Sequence, residues 1–189
     1  MTRRPAPNLV LYRLLPLLLA ALLSMLFSAC STVDRAPPVE LDRNMRWVVL
    51  PLINHTETPG AGQRASAVLE TVLRTRGIKD VQSAPVALAA QSADALFEAG
   101  DVQAQLQDKA LAWARSSGAR YAVGGTVTEW RYKVGVDGEP AVGLTLQVTD
   151  LATGRVVWSA AGGRSGWSRE ALSAVAQKLA RELTAPLGG

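Results

Sequence analysis

Apolar residues occupy every second position through Val142, Leu144, Leu146 and Val148. Period-two alternation marks a strand buried on one face. Flanking this run, residues 121–133 and 155–161 carry branched and aromatic side chains. Asp137-Gly138 and Thr153-Gly154 stand between them, where glycine supplies the positive φ of a hairpin turn. The pattern predicts three consecutive antiparallel strands, a meander. A helix follows over residues 169–184, capped by Ser168, with Leu172, Val175, Ala176 and Leu179 inward. Upstream, Trp47-Val-Val-Leu-Pro-Leu-Ile-Asn54 reads as a short buried strand, with Pro51 at a bulge or edge because it lacks a ladder donor. Residues 61–76 place Ala65, Val68, Leu69, Val72 and Leu73 on one helical face, closed by Gly77. Residues 78–83 read as a short strand, and 85–100 as irregular with a little helix. Residues 101–116 form a further helix that Gly118 ends. Gly124-Gly125 and Gly162-Gly163 mark bulges or close backbone approach within strands. Strand, helix, strand, helix, meander and helix together predict an α/β sandwich. Its mixed β-sheet includes a C-terminal antiparallel meander and is flanked by three main helices, with a right-handed early crossover.

Composition adds exclusions. The chain has 189 residues, 48% of them hydrophobic, which suits one globular domain plus a leader. Its net charge of +4 owes three charges to Arg3, Arg4 and Arg13 in the leader, and the remainder holds 17 basic against 16 acidic residues. No block of like charge stands out, so a nucleic-acid partner is not indicated. One cysteine and one histidine cannot build a disulfide or a multi-Cys/His metal site within one chain. Gly60-Ala-Gly62 opens a helix after a strand, but lacks the third glycine and the lysine of a nucleotide loop. His55 and Glu57 lie together in a polar turn, better read as surface residues than as a catalytic pair. The expectation is a non-enzyme with no catalytic residue, metal or cofactor.

The leader is basic at its start and apolar from Leu14 to Phe27, too short to span a bilayer as a helix. It ends Leu26-Phe27-Ser28-Ala29-Cys30, which resembles the bacterial lipobox, with Phe27 in place of the usual leucine. Residues 1–29 then form a signal peptide, 30–44 a lipidated N-terminus and extended tether, and 45–189 a single periplasmic α/β domain. An ordinary signal peptide with an incidental cysteine, or a short membrane anchor, is the alternative. Ser31 after Cys30 favours the outer membrane in lipoproteins of this type, held by lipid on its periplasmic face without crossing.

Several segments carry a more specific resemblance: Trp47 to Asn54, Ala112-Trp-Ala-Arg-Ser-Ser-Gly-Ala-Arg-Tyr121, Glu129-Trp-Arg-Tyr-Lys133, Asp137-Gly-Glu-Pro-Ala-Val-Gly143 and Ser165-Gly-Trp-Ser-Arg-Glu-Ala-Leu172. Together they resemble the PelC family, outer-membrane lipoproteins of the Pel exopolysaccharide export system. The resemblance runs from Trp47 to the C-terminus and is weakest between Ile78 and Gly100. It implies a fold like the TolB N-terminal domain and the curli secretion lipoproteins. It implies a dodecameric ring beside PelB, a β-barrel and helical-repeat protein, with an acidic lumen that guides a cationic exopolysaccharide. It also implies a tryptophan belt seated in outer-membrane lipid.

Two sets of residues are candidates for those roles. Trp167, in a glycine-flanked polar loop, is the candidate for the membrane interface, the alternative being a staple under the last helix. Trp47, Trp113 and Trp158 sit on apolar faces and read as core, while Trp130 fits either setting. Asp137 and Glu139, around Gly138 on one hairpin, are the candidates for the acidic lumen, the alternative being two solvated turn carboxylates. Two other functions stay open: a lipoprotein activator of a periplasmic peptidoglycan synthase, or a curli-like secretion lipoprotein. The latter would need membrane-spanning strand pairs that the sequence does not display.

Overall fold

The computed structural model describes residues 31–85, 100–135 and 138–188. Among them, seven strands form one mixed sheet: β1 (Ser31–Arg35), β2 (Arg46–Val49), β3 (Ile53–Asn54), β4 (Asp80–Ser83), β5 (Tyr121–Tyr132), β6 (Pro140–Asp150) and β7 (Arg155–Ser165). The order across the sheet is β1-β7-β6-β5-β2-β4, with β3 pairing β5 beyond β2. Three helices accompany it, α1 (Ala61–Thr75), α2 (Gly100–Ser116) and α3 (Leu172–Leu183), and a 3-10 turn follows at Ala185–Gly188. The α/β sandwich with three helices and a C-terminal antiparallel meander is the observed fold.

The alternation in β6 does what its pattern requires. Val142, Leu144, Leu146 and Val148 all join one core with Trp47, Val123, Val127, Trp130 and Trp158, under α1 and α3. Trp47, fully buried in β2, lies 4.8 Å from the ring of Tyr121, its parallel neighbour in β5, and its indole donates to the Asp42 carbonyl. A smaller core on the other face joins Val48, Leu50 and Ala122 to Ala110 and Ala114 of α2, with Trp113 half-buried against it. Trp130 is also core: 3% exposed, with the Arg64 guanidinium 6.0 Å from its ring centroid. No helix among the described residues is long and apolar enough to cross a membrane.

Several expectations need correction. The predicted strand over 47–54 is two strands, β2 and β3, separated by Leu50-Pro51-Leu52. Pro51 has no N–H to give, and the Leu52 N–H turns to the Ser66 hydroxyl instead of a ladder partner. The last helix begins at Leu172, with Ala171 as N-cap, not at Arg169 after a Ser168 cap. Arg169 takes a left-handed φ of 68°, which a helix cannot continue through. The register shifts in the meander fall between Val127 and Glu129 and between Val148 and Thr149, not at the glycine pairs. Of the two roles expected for those pairs, close backbone approach is the one found, at Gly125 and Gly162: a Cβ there would stand 1.9 Å from the Thr145 oxygen and 2.6 Å from the Thr32 oxygen.

The expected tether also differs at its start. Residues Ser31–Arg35 pair antiparallel with β7 as the edge strand β1. The ladder carries on at Ala36, whose N–H donates to the Ser159 carbonyl. Val33, Ala36, Val39 and Leu41 all pack against the main core. The residues are extended, as expected, but docked.

Candidate functional site

Four strand ends meet at one end of the sheet. Register sets Ser31 opposite Arg164, Ser165 opposite Ala141, and Pro140 opposite Tyr132. So β1 starts, β7 ends, β6 starts and β5 ends at the same level. With adjacent strands ~4.8 Å apart, Ser31 and Tyr132 are separated by about 14 Å across the sheet.

This end is cross-linked by polar contacts. The Lys133 N–H donates to the Glu139 carbonyl at 2.7 Å, closing the β5–β6 hairpin, and its ammonium donates to the Ser165 hydroxyl at 2.6 Å. The Gly166 N–H donates to the Pro140 carbonyl at 2.8 Å. At β1, the Ser31 hydroxyl donates to the Glu182 carboxylate, and the Arg35 guanidinium to the Glu182 carbonyl at 2.8 Å. Arg164 of β7 pairs with the same carboxylate at 3.0 Å. Glu182, at the end of α3, thus ties the first strand to the last helix.

The loop after β7 is tight. A Cβ at Gly166 would stand 2.5 Å from Val175 and 2.6 Å from the Glu170 carboxylate, so any larger residue there must push those side chains aside. The Glu170 N–H donates to the Trp167 carbonyl, while the Trp167 N–H donates back to the Glu170 carboxylate at 3.2 Å. Lys178 of α3 holds that carboxylate at 2.5 Å. With its backbone fixed in this way, Trp167 is 57% exposed instead of stapling the helix from below.

The Lys178 hydrogen bond holds the Glu170 carboxyl below its ordinary value of 4.5, outweighing the opposing effect of burial. A lowered folded-state value means that stability is present in full above the ordinary value and is lost as pH falls through the lowered one. Glu170→Gln is therefore expected to flatten part of the acid limb of a urea-midpoint profile as pH falls below the ordinary value of 4.5. An unchanged limb would show that the loop carboxylate does not couple to folding.

The other expected site residues divide. Glu139 is exposed on the β5–β6 hairpin beside Gly138, at this same end. Asp137 and Cys30 lie outside the described residues; Cys30 directly precedes Ser31. His55 and Glu57 are exposed, and with Glu129 and Arg131 they line an open groove of about 860 Å³ on the α2 side of the sheet. A neighbouring groove of about 620 Å³ runs over Thr126, Thr145, Gln147 and Ser159, where α2 leaves the sheet uncovered. No group of three or more His, Cys, Asp or Glu that could hold a metal occurs among the described residues.

Sequence reasoning missed Ser31 and Glu182, which meet across 151 residues of chain. It also missed Tyr132, 50% exposed, and Val134, fully exposed, at the β5–β6 tip. The available signal was Val134 itself, an apolar residue between Lys133 and Gly135 outside the strand alternation.

Comparison with known proteins adds the family. The family model of the peptidoglycan-synthase activator LpoB matches residues 45–162. The PelC dodecamer from Paraburkholderia phytofirmans is 42% identical, covering 85% of this chain and 99% of that one, with a TM-score of 0.70. A point variant of the same Paraburkholderia protein, also a dodecamer, gives 42% identity, 84% and 99% coverage and a TM-score of 0.69. The lipoprotein GNA1162 from Neisseria meningitidis shares the fold alone, at 16% identity over 76% of this chain and 97% of that one, with a TM-score of 0.50. No curated protein matches the chain. The chain belongs to the LpoB-like family and, at 42% identity over nearly the whole of its relative, to PelC within it.

Proposed function

We propose that this chain is an outer-membrane-anchored lipoprotein that forms a periplasmic ring and guides a cationic exopolysaccharide to its export channel. One observation carries the membrane part: the lipobox cysteine directly precedes a strand locked into the sheet at the end where Trp167 is exposed. One residue reaches only about 3.8 Å, so lipid on Cys30 holds that end against the bilayer without slack. An indole there meets the interface, its body in the apolar layer and its N–H toward water.

The ring rests on the PelC dodecamers at 42% identity. Closure of a ring sets every copy of the β5–β6 hairpin at the same height. Asp137 and Glu139, worth little singly, then act as a band of negative charge around a passage near the membrane. A polymer bearing scattered ammonium groups is drawn toward it without being gripped. A PelB-like barrel and helical-repeat protein is the partner that receives the polymer.

The match to the LpoB family supports a second reading, an activator of a peptidoglycan synthase, and that reading predicts a monomer that binds its enzyme. Light scattering on the mature chain purified in detergent separates the two. A dodecamer is expected, as in the relative; a monomer at all concentrations removes the ring. In the same cells, Cys30→Ser should leave the chain unprocessed or released, with reduced export. Unaltered fractionation with the outer membrane would overturn the anchor.

A further inference from the structure

The end of the sheet opposite Ser31 has a different character. Register sets Arg155 of β7, Asp150 of β6, Tyr121 of β5, Trp47 of β2 and Val81 of β4 at one level. With strands ~4.8 Å apart this end is about 19 Å wide, and the length of β6 places it about 34 Å from Pro140. The segments that lead into these strands are stitched together. The Arg120 N–H donates to the Arg46 carbonyl, the Lys79 N–H to the Arg43 carbonyl and the Leu151 N–H to the Arg120 carbonyl. The Arg46 guanidinium donates to the Ser117 carbonyl, which holds the end of α2 in the same surface.

Two cations here serve the fold. Arg46 pairs with Asp80 at 2.7 Å and Arg120 with Asp150 at 2.6 Å. The Asp42 carboxylate turns back to accept from the Asn44 N–H and side-chain amide. That leaves Arg43, Lys79, Arg115 and Arg155 with no ion pair among the described residues; Arg43 is half-buried and the other three are exposed. The chain outside its leader is nearly neutral, so these charges are segregated to one end and not part of a general excess. Met45 and Val156, 47% and 53% exposed, stand in the same surface, Met45 between Arg43 and Arg46 and Val156 next to Arg155.

We propose that this end is the docking surface for a periplasmic protein with an acidic face, which seats on Met45 and Val156 and neutralises the four free cations. The proposal rests on the anchored-lipoprotein reading above, which turns this end away from the bilayer. Charge and apolarity together select the occupant. Methionine and arginine are enriched where proteins meet, and exposed apolar residues flanked by charge match that anatomy. A hydrated glycan mesh could answer the charge but gains nothing from Met45 or Val156. A second copy brought end to end opposes like charge with like, which costs affinity. The carboxylates assigned to the polymer lie at the other end, so a cationic polymer arriving from the periplasm first meets these four cations. An acidic cover removes that repulsion at the entrance.

The test uses the full lipidated chain in its own cells, with photoreactive benzoylphenylalanine in place of Met45 or Val156. After illumination both positions are expected to give adducts with one and the same protein, and mass spectrometry should find the linked peptide rich in Asp and Glu. Lys79→Glu with Arg155→Glu, both exposed and free of fold contacts through their side chains, should lower the yield several-fold, whereas Lys79→Arg with Arg155→Lys should keep it. Adducts with a second copy, adducts indifferent to charge reversal, or no protein adduct from a chain that fractionates with the outer membrane each overturn the docking surface and leave the anchor standing. Charge-dependent sedimentation of the detergent-purified chain with peptidoglycan sacculi, with no protein adduct in cells, assigns the surface to the cell wall and likewise overturns it. A chain absent from the outer-membrane fraction overturns the anchored reading itself.

Discussion

Lysine at both Asp137 and Glu139 is expected to block polymer export while the ring still assembles. The double change swings the charge of each subunit by four, on a hairpin where Glu139 contributes a backbone closure to Lys133. The fold has little reason to respond, because a charge on a solvated turn contributes within about 0.5 kcal/mol. An isolated pair would also matter little to a polymer, since screening removes its field beyond about 8–10 Å. Repetition around a closed passage changes the balance, because the fields add and low-dielectric walls focus them. Asp137→Asn with Glu139→Gln should then lower export partway, and added salt should weaken polymer binding to the isolated ring. Wild-type export from the lysine variant, expressed at the normal level, would take this hairpin out of the lumen. Glu129, 33% exposed and paired with Arg131, would be the next residue to change.

Gly125→Ala is expected to be among the most damaging single changes in the sheet. Its new methyl group would sit 1.9 Å from the Thr145 oxygen and 2.9 Å from the Thr145 carbonyl carbon. Both are backbone atoms in the facing strand, held by the β5–β6 ladder, so neither can swing aside as a side-chain tip does. The φ of +154° adds a conformation that alanine rarely adopts. Strain and overpacking together suggest a loss of roughly 3 kcal/mol, or about 10 °C in Tm for a domain of this size. Gly124→Ala is the control. Its methyl would meet only the Leu50 side chain at 3.4 Å, with no positive φ. Thermal melts that fall equally for both variants would mean the facing backbone yields, and the close approach does not constrain the sheet.

Much of the fold was legible because burial on one face writes itself into the sequence at a fixed period. Val142 to Val148 and Ala65 to Leu73 declare a strand and a helix without reference to anything distant, and the structure buries the expected faces. The misses share a different cause. β1 has one apolar residue, Val33, and its place depends on a ladder with β7 and on Glu182, both far along the chain. The start of α3 depends on Glu170 turning back toward Trp167 and Lys178, which overrides the cap that Ser168 could have offered. Trp130 could not be assigned from its neighbours, because Arg64 and Thr58, which approach it, lie far earlier in the chain. Trp167 was recognisable as unusual from its glycine-flanked loop. That it shares one end of the sheet with Ser31, Tyr132 and Glu139 follows only from strand register.

The docked first strand also has a mechanical meaning. Any load carried by a lipid on residue 30 enters the body along the axis of β1. Hydrogen bonds between antiparallel strands lie perpendicular to that axis. The pull therefore loads the register pairs from Ser31–Arg164 to Arg35–Ala160 in shear, where they share the force, and does not unzip them one after another. Ser31 and Arg35, both bonded to Glu182, pass part of that load to α3. A chain attached in this way meets a pull on its first residue with a whole strand ladder and not with a loose leash.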